Sequence, residues 1–320
     1  MKLKELLKGI EILSADADLD MEIPNVSYDS RTTQPGDLFV AMTGFAVDGH
    51  TFIGRARAAG AAAVLCERPP EDAAVPYVQV TDSRRALAVV GANFFGRPAD
   101  SMTMVGVTGT NGKTTTTYLL KAILEQALGA KVGLIGTNQN MIGDEVIPTE
   151  RTTPESFEVQ RLFARMRDAG CSHVVMEVSS HALALDRVYG VRYAVGIFTN
   201  LTQDHLDYHG TMEAYRAAKG LLFDQSRQAV LNLDDEAGRW YAETVPCPVF
   251  TYSERKDRAD LVAKDLRLYP SHVEFEAVAR NVIGRVFLPI PGGFSIYNAL
   301  GVIHDMFHPI PNRFKDYIST

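Results

Sequence analysis

The chain has 320 residues, enough for about two domains, and its 46% hydrophobic and 22% charged composition is typical of a globular protein with an ample core. A net charge of −7 argues against a nucleic-acid partner, and no apolar run approaches the length of a membrane span. Three cysteines without a CxxC spacing argue against a disulfide framework or a zinc site. The charged start of the chain predicts a short amphipathic helix rather than a signal peptide, so we expect a cytoplasmic protein.

Short apolar runs alternate with turn residues in the first hundred positions. The predicted elements are a strand and turn in 36–44, a helix ending at Gly60, a strand over 62–66, and a strand, turn and helix in 77–96. The stretch GRPADSM at 96–102 combines glycine, proline and aspartate and is the expected linker. We therefore predict a small N-terminal α/β domain over 1–98.

A clearer rhythm of strands and helices follows the linker. Apolar runs at 102–109, 131–137, 173–179, 194–200 and 229–234 predict strands, with one helix after the first run and another over 155–169 ending at Gly170. This alternation predicts a doubly wound, mostly parallel sheet over 99–303. Ligands bind such sheets at the carboxyl ends of the strands, so polar residues at those ends are the candidates for a functional site.

The stretch GVTGTNGKTTTT at 106–117 lies between a predicted strand and a predicted helix. Its glycines let backbone amides turn inward, and those amides, the helix N-terminus and Lys113 attract phosphate oxygens. The hydroxyl of Thr114 is placed to bind Mg²⁺. The pattern departs by one residue from GxxxxGK[ST], because Val107 occupies the place of the first glycine. We interpret it as a nucleotide-binding loop; the alternative is a glycine-rich turn before a helix.

Polar residues also follow the next strands. Glu177 in VVMEVSSHAL is either a solvated carboxylate at a strand end or a Mg²⁺ ligand near the phosphate loop. The segment TNLTQDHLDYHGT at 199–211 contains Asp204, His205, Asp207 and His209. Its HxDxH spacing could suit zinc, and a polar turn that caps a helix near Thr211 is another alternative. A Mg²⁺–ATP neighbourhood explains this cluster better than either.

The segment EAYRAAKGLLF at 213–223 predicts a helix on which Lys219 shares a face with Tyr215 and Phe223. One interpretation is a lysine whose stem packs while its ammonium reaches water. The other is an amine of lowered pKa that adds CO₂ and becomes a carbamate, an oxygen ligand for a metal. The sequence leaves both open.

Two further turns carry hydroxyl groups. Ser30 and Arg31 lie in YDSRTTQPGD and indicate either a turn with a salt bridge or a contact with an anion or sugar. Thr152 and Thr153 lie in ERTTPE, ahead of a proline and a helix, and indicate either an N-cap or hydroxyls offered to a ligand.

Together these motifs resemble the Mur ligases of peptidoglycan synthesis. The matching segments, in order, are SYDSRTTQPGDLFVAMTGFAVDGHTFI, GVTGTNGKTTTTYLL, RTTPE, MEVSSHALALDRV, FTNLTQDHLDYHGTMEAYRAAKGLLF, NLDDE and PGGFSIYNAL. The resemblance is strongest to the branch that adds the third stem amino acid, a diamino acid expected to be meso-diaminopimelate, to UDP-MurNAc-L-Ala-D-Glu. It implies an ATP-dependent amide ligase that works through an acyl phosphate.

The resemblance also implies residue roles. Lys113, Lys219 and His205 would be catalytic, and Thr114, Glu177, His205 and carbamylated Lys219 would bind Mg²⁺. The ATP ligands would be Gly109, Thr110, Asn111, Gly112, Lys113, Thr114, Thr115 and Asn298, the last near adenine. The UDP-MurNAc dipeptide would contact Ser30, Thr152, Thr153, Ser179 and Arg187. Residues 1–98 would then bind the UDP-sugar and 99–303 would bind ATP, in a monomer.

The resemblance ends near residue 303. Family members continue into a third domain that holds the incoming amino acid, whereas the stretch at 304–320 is an atypical tail, and we expect that third domain to be absent. A nucleotide- and UDP-sugar-binding module without catalysis is therefore the alternative function. The motifs of the first domain argue against an unrelated P-loop kinase or NTPase.

Overall fold

The computed structural model describes residues 1–44, 47–72, 74–279 and 282–307, the last four without their side chains. The chain forms two compact units. The first comprises Met1–Pro98, Glu155–Ala164 and Leu185–Gly190, and the second comprises Ala99–Pro154, Arg165–Ala184 and the chain from Val191 onward. The tail predicted over 304–320 lies, from residue 308, outside the described residues. The assignment of a UDP-sugar domain and an ATP domain stays a prediction.

The first unit contains a mixed sheet flanked by helices. Its elements are α1 (Leu3–Leu6), β1 (Ile12–Ala15), β2 (Val26–Ser27), β3 (Leu38–Val40), a 3₁₀ helix (Gly49–Phe52), α2 (Ile53–Ala58), β4 (Ala63–Cys66), β5 (Tyr77–Val80) and α3 (Ser83–Phe94). Within the described residues the sheet has five strands in the order β1-β5-β4-β3-β2, parallel except for β1.

Both faces of this first sheet are covered, which explains why its central strands β3 and β4 are apolar throughout. Along β3, Leu38 and Val40 pack in a core with Leu87 of α3, whereas Phe39 between them packs on the opposite side with Ile53 of α2. Side chains of successive strand residues point to opposite faces, so one short strand serves both cores.

A 3₁₀ turn at Pro98–Ser101 leads into the second unit, which begins at Ala99. The elements from here on are β6 (Thr103–Thr108), α4 (Lys113–Leu128), β7 (Val132–Ile135), β8 (Asn140–Ile142), β9 (Glu145–Ile147), α5 (Ser156–Asp168), β10 (His173–Glu177), α6 (Ser180–Ala184), β11 (Val195–Phe198), α7 (Leu206–His209), α8 (Met212–Asp224), β12 (Ala229–Asn232), α9 (Glu236–Thr244), β13 (Val249–Ser253), β14 (Leu261–Leu268), β15 (Val273–Ala279), β16 (Val282–Leu288) and α10 (Phe294–Phe307). The part of α5 up to Ala164 belongs to the first unit, and the other elements belong to the second. In the described ranges, no helix is long and apolar enough to cross a membrane.

The strand order of the second sheet is β16-β15-β14-β13-β12-β11-β6-β10-β7-β8-β9. The strands from β14 to β7 pair in parallel, and antiparallel strands extend the sheet at both ends. The chain leaves β6 towards β7 and β10 on one side and then crosses to β11 on the other. The loop after β6 therefore lies at a topological switch point, where doubly wound sheets bind ligands. The predicted fold class is confirmed.

The core of the second unit lies beneath this loop. Val105 and Val107 of β6 are buried against Leu120 and Leu124 of α4. Helix α10 joins the same core through Leu300. This packing fixes the strand and the helix that the loop connects.

Candidate functional site

The loop between β6 and α4 needs glycine at two positions. Gly109 has φ +147° and Gly112 has φ +84°, conformations that residues with a Cβ rarely adopt. A Cβ on Gly109 would lie 1.9 Å from Thr199 Oγ1, and one on Gly112 would lie 2.4 Å from Asn298 Oδ1. The backbone therefore approaches its neighbours more closely than any side chain would allow.

The neighbouring strand ends hold the loop in place. Thr199 Oγ1 donates a hydrogen bond to Asn111 O over 2.6 Å, and Asn200 Oδ1 accepts one from Asn111 N over 3.0 Å. Asn232, at the end of β12, donates to Thr199 O over 2.9 Å. Sequence reasoning did not single out these three residues. Their signal was their position, because each polar residue lies at the carboxyl end of a parallel strand.

Two lysines meet at one carbonyl group of this loop. Lys113 Nζ donates to Gly109 O and to Thr110 O over 2.9 Å each, and Lys219 Nζ donates to Gly109 O over 2.8 Å. Lys219 is 1% exposed, and its Nζ lies 4.5 Å from the Tyr215 ring centroid, so its amine does not reach bulk water. Burial lowers the pKa of Lys113. Burial and the charge of Lys113 hold the pKa of Lys219 well below its usual range.

Glu177 ends β10 and is fully buried. Its Oε1 accepts a hydrogen bond from Thr137 N and its Oε2 accepts one from Thr137 Oγ1, both over 2.9 Å. A Cβ on Gly136 would lie 2.5 Å from Glu177 Oε1, so this glycine lets the carboxylate lie against the backbone. The carboxylate is therefore held by polar contacts rather than solvated. Thr137 is a fourth residue that sequence reasoning missed.

Three histidine rings cluster near the start of α8. The His181 ring centroid lies 4.9 Å from that of His205 and 5.4 Å from that of His209, and His205 Nε2 is 3.5 Å from Asp204 Oδ2. Thr211 caps α8 by accepting a hydrogen bond from Ala214 N over 3.1 Å. Across the described ranges, no group of three His, Cys, Asp or Glu side chains is arranged to hold a metal ion. The metal set Thr114, Glu177, His205 and Lys219 stays a prediction.

The candidate substrate residues are divided between the units. In the first unit, Ser30 is buried, Arg31 pairs with Asp29, and Arg187 Nε lies 3.4 Å from Glu155 Oε2.

In the second unit, Thr153 Oγ1 donates to Glu177 O over 2.9 Å and accepts from Ser179 N over 3.2 Å, while Thr152 Oγ1 lies 3.0 Å from Thr137 Oγ1. The contacts of the two threonines are thus with β10 and with the end of β7. Their role towards a substrate stays a prediction.

A cavity of about 460 Å³ opens beside the loop. Asn298 is 4% exposed on its wall, and its Nδ2 has no hydrogen-bond partner among the described residues. A buried amide without a partner is costly, so a ligand acceptor atom at this point would stabilise it. The lining residues are Asn111, Gly112, Thr115, Asn200, Asn232, Asp234, Asp235, Arg255, Phe294, Tyr297 and Asn298.

A glycine-rich loop at the switch point of a doubly wound sheet, with a lysine at the first turn of the following helix, defines an α/β protein of the P-loop type. Two family descriptions match the chain, the Mur ligase middle domain over residues 107–304 and the Mur ligase family catalytic domain over residues 22–95. The chain belongs to the Mur ligase family. The resemblance drawn from the sequence motifs is thereby confirmed.

Relatives of known name agree with this membership. The UDP-N-acetylmuramoyl-L-alanyl-D-glutamate--2,6-diaminopimelate ligase of Clostridium tetani is 45% identical over 307 residues, which are 95% of this chain and 63% of that protein. A solved structure of a ligase of the same name matches with a TM-score of 0.86 at 28% identity, over 99% of this chain and 66% of the other.

A MurF ligase from Thermotoga maritima, solved in complex with ADP, shares the fold with a TM-score of 0.60 at 24% identity, over 88% of this chain and 62% of the other. This chain thus spans less than two thirds of the length of the relatives that it matches.

Proposed function

We propose that this chain carries out the ATP-dependent step of an amide ligase that adds meso-diaminopimelate to UDP-MurNAc-L-Ala-D-Glu. The observation that carries the proposal is the pair of lysines on Gly109 O at the switch-point loop, Lys219 buried and Lys113 half-buried. Phosphate oxygens at the loop would give the Lys113 ammonium a counter-charge, and the lowered pKa of Lys219 suits an amine that adds CO₂. The names of the relatives supply the substrates.

The nucleotide fits the residues present. Backbone amides of 109–115, the N-terminus of α4 and Lys113 would hold the phosphates, since the loop leaves no room for a Cβ at Gly109 or Gly112. The Nδ2 of Asn298, which has no partner in the part of the chain that the structure describes, would donate to a ring nitrogen of adenine in the adjoining cavity. This assignment gives the buried amide its missing partner.

The donor atoms also fit Mg²⁺, a hard cation that prefers oxygen ligands. The Thr114 hydroxyl and the Glu177 carboxylate would serve one ion, and His205 with Lys219 as a carbamate would serve another. The carbamate forms when the neutral amine attacks CO₂ and loses a proton, which the lowered pKa of Lys219 favours. When bound, Mg²⁺ would neutralise charge on the transferring phosphoryl group.

The proposed reaction has two steps, transfer of a phosphoryl group and formation of the amide. The glutamate carboxylate of the substrate attacks the γ-phosphorus, the bond to the bridging oxygen breaks, and ADP leaves. Lys113 stays on the phosphate oxygens while their charge grows. The amine of the diamino acid attacks the acyl phosphate carbon, inorganic phosphate leaves with the bonding electrons, and the nitrogen loses a proton. Ser30, Thr152, Thr153, Ser179 and Arg187 would hold the UDP-MurNAc dipeptide.

The test is an incubation of the purified chain with ATP, Mg²⁺, UDP-MurNAc-L-Ala-D-Glu and meso-diaminopimelate, followed by mass spectrometry for ADP and the tripeptide product. We expect both products. If ATP and UDP-MurNAc-L-Ala-D-Glu both bind and neither product forms, the chain is a binding module without catalysis. A mass spectrum that shows an unmodified Lys219 while the metal site is loaded would rule out the carbamate.

A further inference from the structure

Thr137 connects Glu177, a proposed Mg²⁺ ligand, with Thr152, a proposed contact of the UDP-MurNAc dipeptide. It follows β7 and donates to both carboxylate oxygens of Glu177, through its N–H and through its hydroxyl. The same hydroxyl oxygen lies 3.0 Å from the hydroxyl oxygen of Thr152. All three residues belong to the second unit. A continuous chain of hydrogen bonds therefore runs from Thr152 through Thr137 to Glu177.

The direction of this chain is fixed by the number of protons. A hydroxyl group has one proton to donate. Thr137 gives its proton to the Glu177 carboxylate, which can only accept, so the bond between the two threonines must be donated by Thr152. Thr152 then has no proton left and offers a ligand only its lone pairs. The ligand atom that meets Thr152 must therefore be a donor, such as a peptide N–H or a sugar hydroxyl.

A second connection holds the neighbouring residue to the same strand end. Thr153 Oγ1 donates to the main-chain oxygen of Glu177 and accepts from Ser179 N. The short segment 152–153 is thus tied to Glu177 by its side chain, through Thr137, and by its main chain. Since Glu177 is fully buried, a change in what its carboxylate binds must be accommodated by these same partners.

We propose that Thr137 is a positioning residue that couples occupancy of the nucleotide site to occupancy of the Thr152 end of the acidic sugar-nucleotide site. This inference rests on the proposed function, because it takes its two ligands from there. A cation or phosphate at Glu177 changes how strongly the carboxylate accepts from Thr137, and the change passes to the proton that Thr152 donates. A donor group at Thr152 acts on Glu177 in the reverse direction, as thermodynamic linkage requires.

The test measures binding rather than turnover. The dissociation constant of Mg²⁺ with a non-hydrolysable ATP analogue is measured by titration calorimetry with and without saturating UDP-MurNAc-L-Ala-D-Glu, and the reverse titration is done as a check. The ratio of the two constants is the coupling factor. In the wild type we expect a factor of at least about 5, the lower end for coupled sites.

Variants locate the coupling in the hydroxyl group. We expect Thr137→Val to bring the factor close to one and Thr137→Ser, which keeps the hydroxyl, to restore it. Thr152→Val breaks the same chain while leaving both Glu177 bonds intact, so it serves if Thr137→Val does not fold. Thr149→Val is the matched control, because the Thr149 hydroxyl donates to Arg151 O, outside this chain.

The outcomes separate the two proposals. A wild type that binds neither ligand overturns the proposed function and this inference with it. A wild type that binds both ligands with a factor of one overturns this inference alone, as does a valine variant at position 137 that keeps the wild-type factor. Loss of the factor in Thr137→Ser as well as in Thr137→Val would overturn the assignment of the coupling to the hydroxyl, because serine keeps that group.

Discussion

In the first unit, arginines lie against carboxylates, whereas the two lysines beside the glycine-rich loop of the second unit lie against backbone carbonyl oxygens. Arg187 Nε is 3.4 Å from Glu155 Oε2, and Arg85 Nε is 3.3 Å from Asp186 Oδ1. A cation with a carboxylate partner already has its charge balanced within the fold. Such pairs hold local structure.

The loop of the second unit is arranged in the opposite way. Across the described residues, neither Lys113 nor Lys219 forms an ion pair, and both share the carbonyl oxygen of Gly109. Carbonyl dipoles balance an ammonium charge only in part, and burial disfavours that charge. The arrangement costs stability in the free protein and favours a phosphate when one arrives. The comparison suggests that charge in this region serves a ligand rather than the fold.

The largest expected effect comes from removing the lysine of the loop. Lys113→Met takes away a charged donor to phosphate, and we expect the affinity for Mg²⁺–ATP to fall roughly 100-fold, since such contacts contribute about 1.5–3 kcal/mol. Titration calorimetry measures this change. Lys264→Met, at an exposed lysine paired with Asp257, is the matched control and should bind as the wild type does. If both variants bind Mg²⁺–ATP with equal affinity, the charge of Lys113 does not serve the nucleotide, and the contrast drawn between the two units is wrong.

The next effect concerns the shape of the loop. Gly112→Ala combines a positive φ with a clash on Asn298, and we expect it to lower the free energy of unfolding by about 2–4 kcal/mol. Gly129 also has a positive φ, but no atom lies within 4 Å of an added Cβ. We therefore expect Gly129→Ala to lower the free energy of unfolding by only about 1–2 kcal/mol. Urea unfolding measures both. Asn298→Ala should relieve part of the Gly112→Ala defect; no relief would contradict the clash.

A smaller effect tests the cost of the second lysine. The unfolded chain binds a proton at Lys219 up to about pH 10.4, whereas the folded chain releases it at lower pH, so stability should rise with pH across that window. We expect Lys219→Met to remove this slope and to raise the melting temperature at pH 7 by a few degrees. Thermal unfolding at pH 7 and 9.5 in CO₂-free buffer measures it. A lower melting temperature with an unchanged slope would contradict burial as the cause.

The smallest effect belongs to the first unit. The backbone N–H of His50, with the His50 ring and Arg68, lowers the pKa of Asp48 to about 2. Its contribution to stability is therefore present above about pH 3.9 and is lost as the pH falls towards 2. We expect Asp48→Asn to cost at most about 1 kcal/mol at pH 7, because solvent screens the pair. The difference in unfolding free energy between the wild type and Asp48→Asn should be smaller at pH 3 than at pH 7. A larger difference at pH 3 would contradict a lowered pKa of Asp48.

Local patterns predicted the elements around the loop and missed strands β13 to β16 and helix α10. The strand, loop and helix around Lys113 follow from an apolar run, glycines and helical periodicity, all within Thr103–Leu128. Strand β16 gave no such signal, because Ile283 and Phe287 are apolar yet 63% and 54% exposed. An apolar residue on the solvent face hides the alternation by which a half-buried strand is recognised.

By itself, the sequence determined a phosphate-type loop and a lysine between aromatic residues on one helix face. Only the tertiary structure decided that Lys219 reaches Gly109 O across 110 residues of chain, and that Thr137 holds Glu177 across 40. Residue spacing along one element fixes which side chains share a face. Which strand ends meet depends on the order of strands in the sheet, and that order arises from burying all the elements together.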